Sequence, residues 1–397
     1  MPPPSQFAAY INTQQTIFSE DFRATQFNYR DPFDQASTGL WRADYGHGGQ
    51  QGLASYTLND EKQLYVSSYF RDMDMPINPF SMDGESLTIT ARKRAPDDGL
   101  DAAFTINGVE YQYSSGAITT APSENGSQGS LFEYGYFEMR AQLPTAAGAF
   151  PAFWLLPTEN HGTDPNHPPE IDIMEQIGNK QAYWGTVHPG VDHPHTGNNQ
   201  PMIDPSSGYA TSGEIVTNGL PDLSGWHTYG LLWTPEKLVW TFDGVSKFEA
   251  PTPSLFDSPM YILANLALGG WGGAVNDAQL PASMNIDYIK VWDYAPKDPA
   301  GMTLKADSFR HSLAGYTGAD TLVGGLGQDS MTGGAGADVF RFDLAPLQAA
   351  NIGDFAAAED KIDLRAALAR DGYFGADPLL DQRVLVSTAN GVTTVSY

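Results

Sequence analysis

The segment Glu170-Ile171-Asp172-Ile173-Met174-Glu175 carries three carboxylates interleaved with apolar residues. Successive side chains of a β-strand point to opposite faces, so Glu170 and Asp172 share one face while the isoleucines enter the core behind it. Glu175 breaks this parity. It returns to the same face only if the strand contains a β-bulge, formed at Met174 alone or together with the residue before it. The spacing therefore predicts a bulged strand with three acids on one face.

Neighbouring carboxylates of this kind can cleave a glycosidic bond. Two carboxyl groups about 5 to 5.5 Å apart suit a retaining mechanism, in which one is the nucleophile and the other the general acid/base. Three adjacent carboxylates do not all ionise easily, so at least one pKa should rise and supply a proton donor near neutral pH, and the group titrates as a coupled set. The alternative is an acidic strand edge, which is common in a chain with 47 Asp and Glu residues. The aromatic segment 150–157 favours sugar binding, because the C–H faces of sugars stack on aromatic rings.

The elements that must position these acids are short strands. Alternating runs such as 87–91 and 237–242 are separated by Asp-Gly and Gly-Gly turns, which is typical of antiparallel strands in a β-sandwich. All eight Trp residues precede position 293, after which Gly, Ala, Asp and Leu dominate. We predict an all-β chain with a first domain over 1–297, a linker over 298–306 and a second domain over 307–397.

Ordered blocks along residues 15–295 resemble glycoside hydrolase family 16, in the branch whose signature is Glu-x-Asp-x-x-Glu with a bulge. Besides the carboxylate motif, the blocks include Phe18-Ser19-Glu20-Asp21-Phe22, Tyr134-Gly135-Tyr136-Phe137-Glu138, Trp184-Gly185-Thr186-Val187-His188, Trp226-His227-Thr228-Tyr229 and Ile286-Asp287-Tyr288-Ile289-Lys290. The resemblance implies a concanavalin A-like β-jelly roll with a curved concave face. Laminarinases, other endo-β-glucanases and galactanases belong to this branch.

Carried over residue by residue, the resemblance implies that Glu170 is the nucleophile, Glu175 the acid/base and Asp172 the residue that positions and tunes both. It implies sugar contacts by Trp154, His188, Asn59, Glu61 and Trp271. Two of these, Asn59 and Glu61, are also compatible with turn residues, and His188 with a structural histidine.

The chain departs from the family at Ser115-Gly116-Ala117-Ile118, where many members read Ser-Gly-Arg-Ile. The missing arginine leaves the sugar contacts at that position open. Three further tryptophans, Trp226, Trp233 and Trp240, are expected to pack the sheets.

Three consecutive nonapeptides begin at Gly315, Gly324 and Gly333, with Gly at the first and fourth places, Asp at the sixth and an apolar residue at the eighth. This is the calcium-binding repeat of a parallel β-roll, in which glycines allow tight turns, aspartates supply carboxylate oxygens and the apolar residues stack inside. A flexible Gly/Asp linker would not keep the register three times. The predicted ion-binding turns contain Gly318, Asp320, Gly327, Asp329, Gly336 and Asp338, and the predicted inner stack is Leu322, Met331 and Phe340.

The C-terminal region resembles the repeats-in-toxin domain of proteins exported by bacterial type I secretion. The resemblance adds Asp363 as a ligand candidate, structural Ca²⁺ as the bound ion and the type I machinery as a partner. It implies a bacterial, extracellular protein without a cleaved signal, whereas an intracellular enzyme is the alternative. Clustered Asp residues should keep the roll unfolded where calcium is scarce.

Composition agrees with an exported protein. The N-terminal Met1-Pro2-Pro3-Pro4 has no basic or apolar signal region, and no run approaches 18 apolar residues, so neither a cleaved signal nor a membrane span is predicted. The chain has no Cys, which excludes disulfides and thiolate metal sites. A formal charge of −26 fits a cation-loaded protein and argues against nucleic acid as a partner.

Two other metal sites are conceivable. Glu20 and Asp287 match positions at which many family members hold a structural calcium, although salt bridges explain them equally well. The three imidazoles of His188, His193 and His195 could together ligate a zinc ion. However, the Pro- and Gly-rich loop around His193 and His195 is more simply interpreted as a wall of the substrate cleft.

The sequence therefore predicts a monomeric, secreted endo-β-glycanase that cleaves β-1,3- or mixed-linkage β-glucan, or a bacterial exopolysaccharide, by double displacement. Two alternatives remain: a carbohydrate-binding or matrix-anchoring protein without catalysis, and a transglycosylase, which shares the glycosyl-enzyme intermediate.

Overall fold

The computed structural model describes residues 2–24, 27–29, 39–44, 49–51, 54–56, 60–66, 78–95, 105–106, 109–122, 129–158, 168–178, 180, 182–188, 212–215, 222–253, 256–295, 301, 303–306, 312–315, 317–325, 329–344, 349–389 and 392–396. The chain divides into two compact units, Met1–Tyr294 and Ala295–Tyr397. The boundary lies close to the division expected from composition.

The described residues of the first unit form twenty strands. They are β1 Ile11–Glu20, β2 Gly49–Gln51, β3 Ala54–Tyr56, β4 Gln63–Val66, β5 Phe80–Met82, β6 Leu87–Lys93, β7 Thr105–Ile106, β8 Val109–Glu110, β9 Tyr113–Ser115, β10 Ala117–Thr119, β11 Gly135–Gln142, β12 Ala149–Pro157, β13 Glu170–Glu175, β14 Tyr183–His188, β15 Ser212–Ile215, β16 His227–Trp233, β17 Lys237–Phe242, β18 Val245–Pro251, β19 Met260–Leu268 and β20 Ala282–Tyr294. Single 3₁₀ turns occur at Ser5–Phe7, Gly270–Gly272 and Asp277–Gln279.

These strands form two main sheets. The larger sheet has the order β18-β17-β16-β11-β20-β6-β9-β4-β3-β2, with β1 added to β20 and β5 to β6. The smaller sheet has the order β10-β19-β12-β13-β14-β15 and is antiparallel throughout. The predicted all-β jelly-roll sandwich is confirmed.

The two sheets share one apolar core. Phe137 and Ile289 of the larger sheet lie in the same buried cluster as Phe153 and Ile262 of the smaller sheet. Alternation along β12 sends Phe153 into this core, whereas Trp154 joins a second buried cluster on the other side of the same sheet. We call this second side of the smaller sheet the outer face. It is the face that carries the acids of β13.

The described residues of the second unit form two parallel sheets, β21-β23-β25-β27 and β22-β24-β26, followed by a helix and a hairpin. Its elements are β21 Thr303–Lys305, β22 Ser312–Ala314, β23 Thr321–Gly324, β24 Ser330–Thr332, β25 Val339–Phe342, β26 Asn351–Ile352, β27 Lys361–Asp363, α1 Arg365–Arg370, β28 Leu385–Ala389 and β29 Val392–Ser396.

Alternate nonapeptides of the second unit build alternate sheets. Thr321 pairs with Val339 in one sheet and Ser312 with Ser330 in the other, so one turn of the roll takes two repeats. Leu322, Met331 and Phe340 are each 0% exposed and form the inner stack that the repeat predicts. The parallel β-roll is confirmed. Among the described residues, no helix has the length and apolarity needed to cross a membrane.

Candidate active site

The parity problem of β13 is solved by a bulge. Against β14, Asp172 pairs with Thr186 and Glu175 pairs with Trp184, so the two residues between the acids stand opposite Gly185 alone. Those two residues, Ile173 and Met174, are both fully buried in the core between the sheets. The extra residue rotates Glu175 back to the outer face.

The registers of β12 and β14 place a neighbour beside each acid. Glu170 lies beside His188, Asp172 beside Trp154 and Thr186, and Glu175 beside Ala152 and Trp184. The three acids thus form one column along β13, with an aromatic ring next to Asp172 on one strand and next to Glu175 on the other. Trp184 and Thr186 belong to this site although the sequence did not single them out as site residues.

The carboxylates perturb one another. Burial, followed by the negative charge of Asp172, raises the pKa of Glu170 well above its ordinary value. Burial and the charge of Glu175 raise the pKa of Asp172. Burial also raises the pKa of Glu175 to about 7, against the opposing charge of His188 and a 3.3 Å hydrogen bond from Thr186 Oγ1. At neutral pH the column therefore holds a proton that exposed carboxylates would have lost.

His188 supplies positive charge at the end of the column. Its Nε2 atom lies 3.1 Å from Asp172 Oδ2. Burial opposes the imidazolium, but the contact with Asp172 and the charges of the three acids outweigh it and raise the pKa of His188 to about 10. Half of the side chain, 52%, stays exposed, so water screens part of this attraction. His188 still carries its proton at neutral pH.

A hydrogen-bonded chain orients the Trp154 indole beside Asp172. Trp154 Nε1 donates to Asn265 Oδ1 at 2.8 Å, and Asn265 Nδ2 donates to Tyr65 OH at 2.9 Å. Tyr65 OH in turn donates to Glu61 Oε2 at 3.1 Å, which also accepts from Gln63 Nε2 at 2.6 Å. Every member of this chain is buried. Glu61 and Trp154, predicted separately, therefore belong to one network.

The remaining predicted sugar contacts are placed differently. Trp271 lies in the 3₁₀ turn Gly270–Gly272 that follows β19, and its side chain is 60% exposed. Because β19 ends opposite Ala149, beyond the pair of Ala152 and Glu175, Trp271 lies past the Glu175 end of the column. Asn59, together with His193 and His195, falls outside the described residues.

The predicted calcium ligands Glu20 and Asp287 lie on β1 and β20 of the larger sheet. Asp287 is in ion pairs with both Arg23 and Arg140, and one Glu20 carboxylate oxygen accepts a hydrogen bond from Phe22 N at 2.9 Å. A calcium ion at Asp287 would have to displace two guanidinium groups, so calcium there stays a prediction. Among the described residues, the one group of three side chains with metal-ligand geometry is Glu170, Asp172 and His188.

The aspartates of the roll form a ladder. Asp338 Oδ1 accepts from Asp320 N at 2.8 Å, and Asp360 Oδ1 accepts from Asp338 N at 2.9 Å. Asp329 Oδ2 accepts from Gly325 N at 2.9 Å. The three repeat aspartates are at most 2% exposed. Gly318 and Gly336 occupy the turns with positive φ that the repeat requires, and Gly327 falls outside the described residues.

These turns fit a calcium ion. Asp338 Oδ2 is buried and has no hydrogen-bond partner among the described residues. Burial, together with the charges of the neighbouring aspartates, raises the pKa of Asp338, as expected where carboxylates gather. A Cβ atom at Gly333 would lie 2.4 Å from this same Asp338 oxygen, so glycine is what keeps the space beside it open.

Two aspartates of the ladder were not predicted as such from the sequence, and the predicted ligand Asp363 makes other contacts. Asp354 accepts from Gly333 N and Gly334 N, both at 2.8 Å, and Asp360 continues the ladder. Counting in nines from Asp338 reaches Leu347 and Ala356, so an insertion hides both aspartates from the repeat pattern. The carboxylate of Asp363 instead accepts from Arg365 Nε at 2.9 Å and Nη2 at 2.7 Å, and its role as a ligand stays a prediction.

Comparison with known proteins agrees with both units. The family model for glycosyl hydrolases family 16 matches residues 78–290, and the RTX calcium-binding nonapeptide repeat matches residues 312–344. Endo-1,3-1,4-beta-glycanase ExsH of Rhizobium meliloti (strain 1021) is 37% identical over 277 residues, which cover 69% of this chain and 51% of the relative. A beta-glucanase of Rhodothermus marinus is 33% identical over 177 residues, covering 40% and 57%. The chain thus spans about half the length of these curated relatives.

A solved structure shares the fold of the first unit. The laminarinase catalytic domain from Thermotoga maritima MSB8 superposes with a TM-score of 0.51 at 24% identity, covering 70% of this chain and 98% of that domain. At this identity the likeness supports the fold alone.

Proposed function

This chain belongs to glycosyl hydrolase family 16, and from that premise we propose that it is a secreted, retaining endo-β-glycanase that cleaves β-1,3- or mixed-linkage β-glucan. The observation that carries the proposal is the bulged strand β13, which turns three carboxylates to one face and holds Glu175 at a pKa of about 7. A proton donor and an ionised carboxylate side by side are what double displacement needs.

In the proposed reaction, Glu175 protonates the glycosidic oxygen while a carboxylate oxygen of Glu170 attacks the anomeric carbon. This step forms a glycosyl-enzyme ester and releases the reducing-end fragment. Water, deprotonated by Glu175, then hydrolyses the ester and restores both groups. Asp172 lies between the two glutamates and is held by His188 at 3.1 Å. We assign Asp172 the task of keeping their charges in balance.

Burial raises the pKa of both glutamates, so the pKa shifts do not distinguish the nucleophile from the acid/base. The two roles are therefore assigned from the family resemblance. The proton is shared by the set of three carboxylates and does not belong to one side chain. Substrate binding must leave Glu170 ionised. The cation of His188, which lowers the pKa of Glu170, favours that state.

The substrate class follows from the relatives. The Rhizobium meliloti and Rhodothermus marinus proteins are named for action on β-linked glycans, and we extend that class to this chain. Trp184 next to Glu175 is partly exposed and offers a ring face for a sugar, and the buried Trp154 next to Asp172 adds an aromatic ring to the floor of the site. A bacterial exopolysaccharide with such linkages is included in the proposal.

We assign the roll the task of calcium-dependent folding outside the cell. Its buried aspartates repel one another until calcium neutralises them, and calcium then contributes folding free energy. Calcium bound to these aspartates would therefore stabilise the folded roll. Export by a type I machinery, and a monomeric enzyme, are parts of the same proposal.

The test is depolymerisation of a panel containing β-1,3-glucan, mixed-linkage β-glucan, an agar-type galactan and an acidic bacterial exopolysaccharide, with sizing of the products. Glu170→Gln should abolish cleavage without changing the fold. Glu138→Gln is the matched control, because Glu138 is also a buried carboxylate with two hydrogen bonds but lies on the larger sheet. Full activity in Glu170→Gln would refute the nucleophile assignment, whereas no cleavage of any panel member by the wild-type enzyme would refute the hydrolase proposal.

Azide separates the two glutamate roles. With an activated aryl β-glycoside, Glu170→Ala should yield the α-glycosyl azide, since azide replaces the missing nucleophile. Glu175→Ala should yield the β-glycosyl azide, since the glycosyl-enzyme still forms and azide then attacks it. The reversed pair of products would exchange the assignments.

A further inference from the structure

Trp240 links the two sheets at the bulge of β13. It lies on β17 of the larger sheet and is 0% exposed. Its indole Nε1–H donates a 2.8 Å hydrogen bond to the main-chain carbonyl oxygen of Asp172. Asp172 is the residue at which the strand register shifts. A bulge interrupts the regular ladder, and buried main-chain groups in such places need partners. An indole from the opposite sheet supplies this one.

Gly185 makes the approach of this indole possible. It stands on β14 opposite the bulge. A Cβ atom at Gly185 would lie 2.4 Å from Trp240 Nε1 and 2.5 Å from Cδ1, closer than atoms can approach. The ring also packs on Phe248, with the ring centroids 5.1 Å apart. The indole is therefore confined on both sides, and its nitrogen is aimed at the Asp172 carbonyl.

Two other buried tryptophans of the same sandwich have no hydrogen bond from the indole nitrogen. Trp233 on β16 and Trp41 are each 0% exposed, and their Nε1 atoms have no hydrogen-bond partner among the described residues. Burial of an indole in this core therefore does not by itself require a donor contact. The bond of Trp240 is a specific feature of the strand that carries the acids.

We propose that Trp240 is a positioning residue which, with Gly185, fixes the bulge of β13 and thereby the spacing of Asp172 and Glu175. The inference rests on the proposed hydrolase function. Trp240 acts through the main chain of Asp172 and lies in the core, on the side of the sheet away from the sugar. A misplacement of about 1 Å in a catalytic group can cost about 100-fold in rate, so a loosened bulge should slow the chemical step more than it weakens binding.

Trp240→Phe, compared with Trp233→Phe, tests the role of the bond. Both changes remove an indole from the same core, but only the first removes a hydrogen bond. For Trp240→Phe we expect kcat to fall by about tenfold or more, with KM within about twofold of the wild-type value. The basic limb of its pH profile should also shift, because a relaxed column changes the distances from Glu175 to His188, whose charge lowers the pKa of Glu175, and to Glu170, whose charge raises it. Trp233→Phe should have a lower melting temperature than the wild-type enzyme but the same kcat and pH profile.

Gly185→Ala provides an independent route, since the new methyl group must push the indole away. We expect the same fall in kcat. In the double variant the smaller phenylalanine ring leaves room for that methyl group, so the two losses should not multiply.

Wild-type kcat and pH profile in Trp240→Phe, or fully multiplicative losses in the double variant, would overturn the inference. An active wild-type enzyme with either result would leave the proposed function standing. No cleavage of any panel member by the wild-type enzyme would instead refute the proposed function itself.

Discussion

The hydrogen-bonded chain behind Trp154 gives a prediction whose magnitude follows from the structure. In Asn265→Leu, the side chain keeps a similar volume but removes the acceptor of Trp154 Nε1 and the donor to Tyr65 OH, which are bonds of 2.8 and 2.9 Å between buried groups. A buried polar group left without its partner costs about 1 to 3 kcal/mol. Trp154 Nε1 loses this acceptor, whereas Tyr65 OH keeps its bond to Glu61 Oε2, so the free energy of unfolding should fall by about 1 to 3 kcal/mol and the melting temperature by at least about 2 °C.

The same substitution should weaken substrate binding, because the indole is no longer held beside Asp172. A stacked ring contributes about 1 kcal/mol, so we expect KM for laminari-oligosaccharides to rise about fivefold. Asn285→Leu is the matched control. Asn285 also makes two side-chain hydrogen bonds, to Thr88 and Gln142, but lies on the larger sheet. It should lose stability and keep the wild-type KM. An unchanged KM in Asn265→Leu, despite a lower melting temperature, would refute the orienting role of the network.

Three further predictions concern charge and calcium. His188→Gln removes a cation that lowers the pKa of Glu175, so the basic limb of the pH profile of kcat/KM should move above its wild-type position near pH 7, and a downward move would contradict this charge balance. Removal of calcium with a chelator should unfold the roll, seen by circular dichroism, and Asp338→Asn should raise the calcium concentration needed to refold it; a roll insensitive to calcium would exclude the role assigned to these aspartates. Gly336→Ala would place a Cβ atom 1.7 Å from Gly318 O at a φ of +143°, so it should abolish the calcium-induced signal. Gly372→Ala, also at a positive φ of +80° but with no atom within 4 Å of the added Cβ atom, should retain it.

Much of the fold was predictable because its signals are local. The nine-residue repeat predicts a parallel roll, because the Gly and Asp residues of each repeat form equivalent turns and the apolar residues of each repeat pack into one continuous core. The parity of β13 likewise requires a bulge on the residue count alone, because Glu170 and Glu175 differ by an odd number of residues. Where an insertion breaks the repeat, the signal disappears, and Asp354 and Asp360 are recognisable as members of the ladder only in three dimensions.

Side-chain partnerships across the two sheets were not predictable. Trp233 and Trp240 look alike in sequence, and both were expected to pack the sheets, yet only Trp240 reaches a main-chain carbonyl on the acid-bearing strand. Asp287 resembles a calcium ligand in sequence, but in the fold Arg23 and Arg140 lie beside it. Such contacts join residues far apart in the chain.

The sequence by itself determined which residues carry the chemistry: three acids on one strand face, and aspartates at the sixth place of each nonapeptide. Strand periodicity and turn geometry are properties of neighbouring residues, and a sequence records them directly. Only the tertiary structure decided how the acids are held and charged. The burial that raises their pKa values, the His188 contact and the network behind Trp154 arise from strands that pair after the chain has folded.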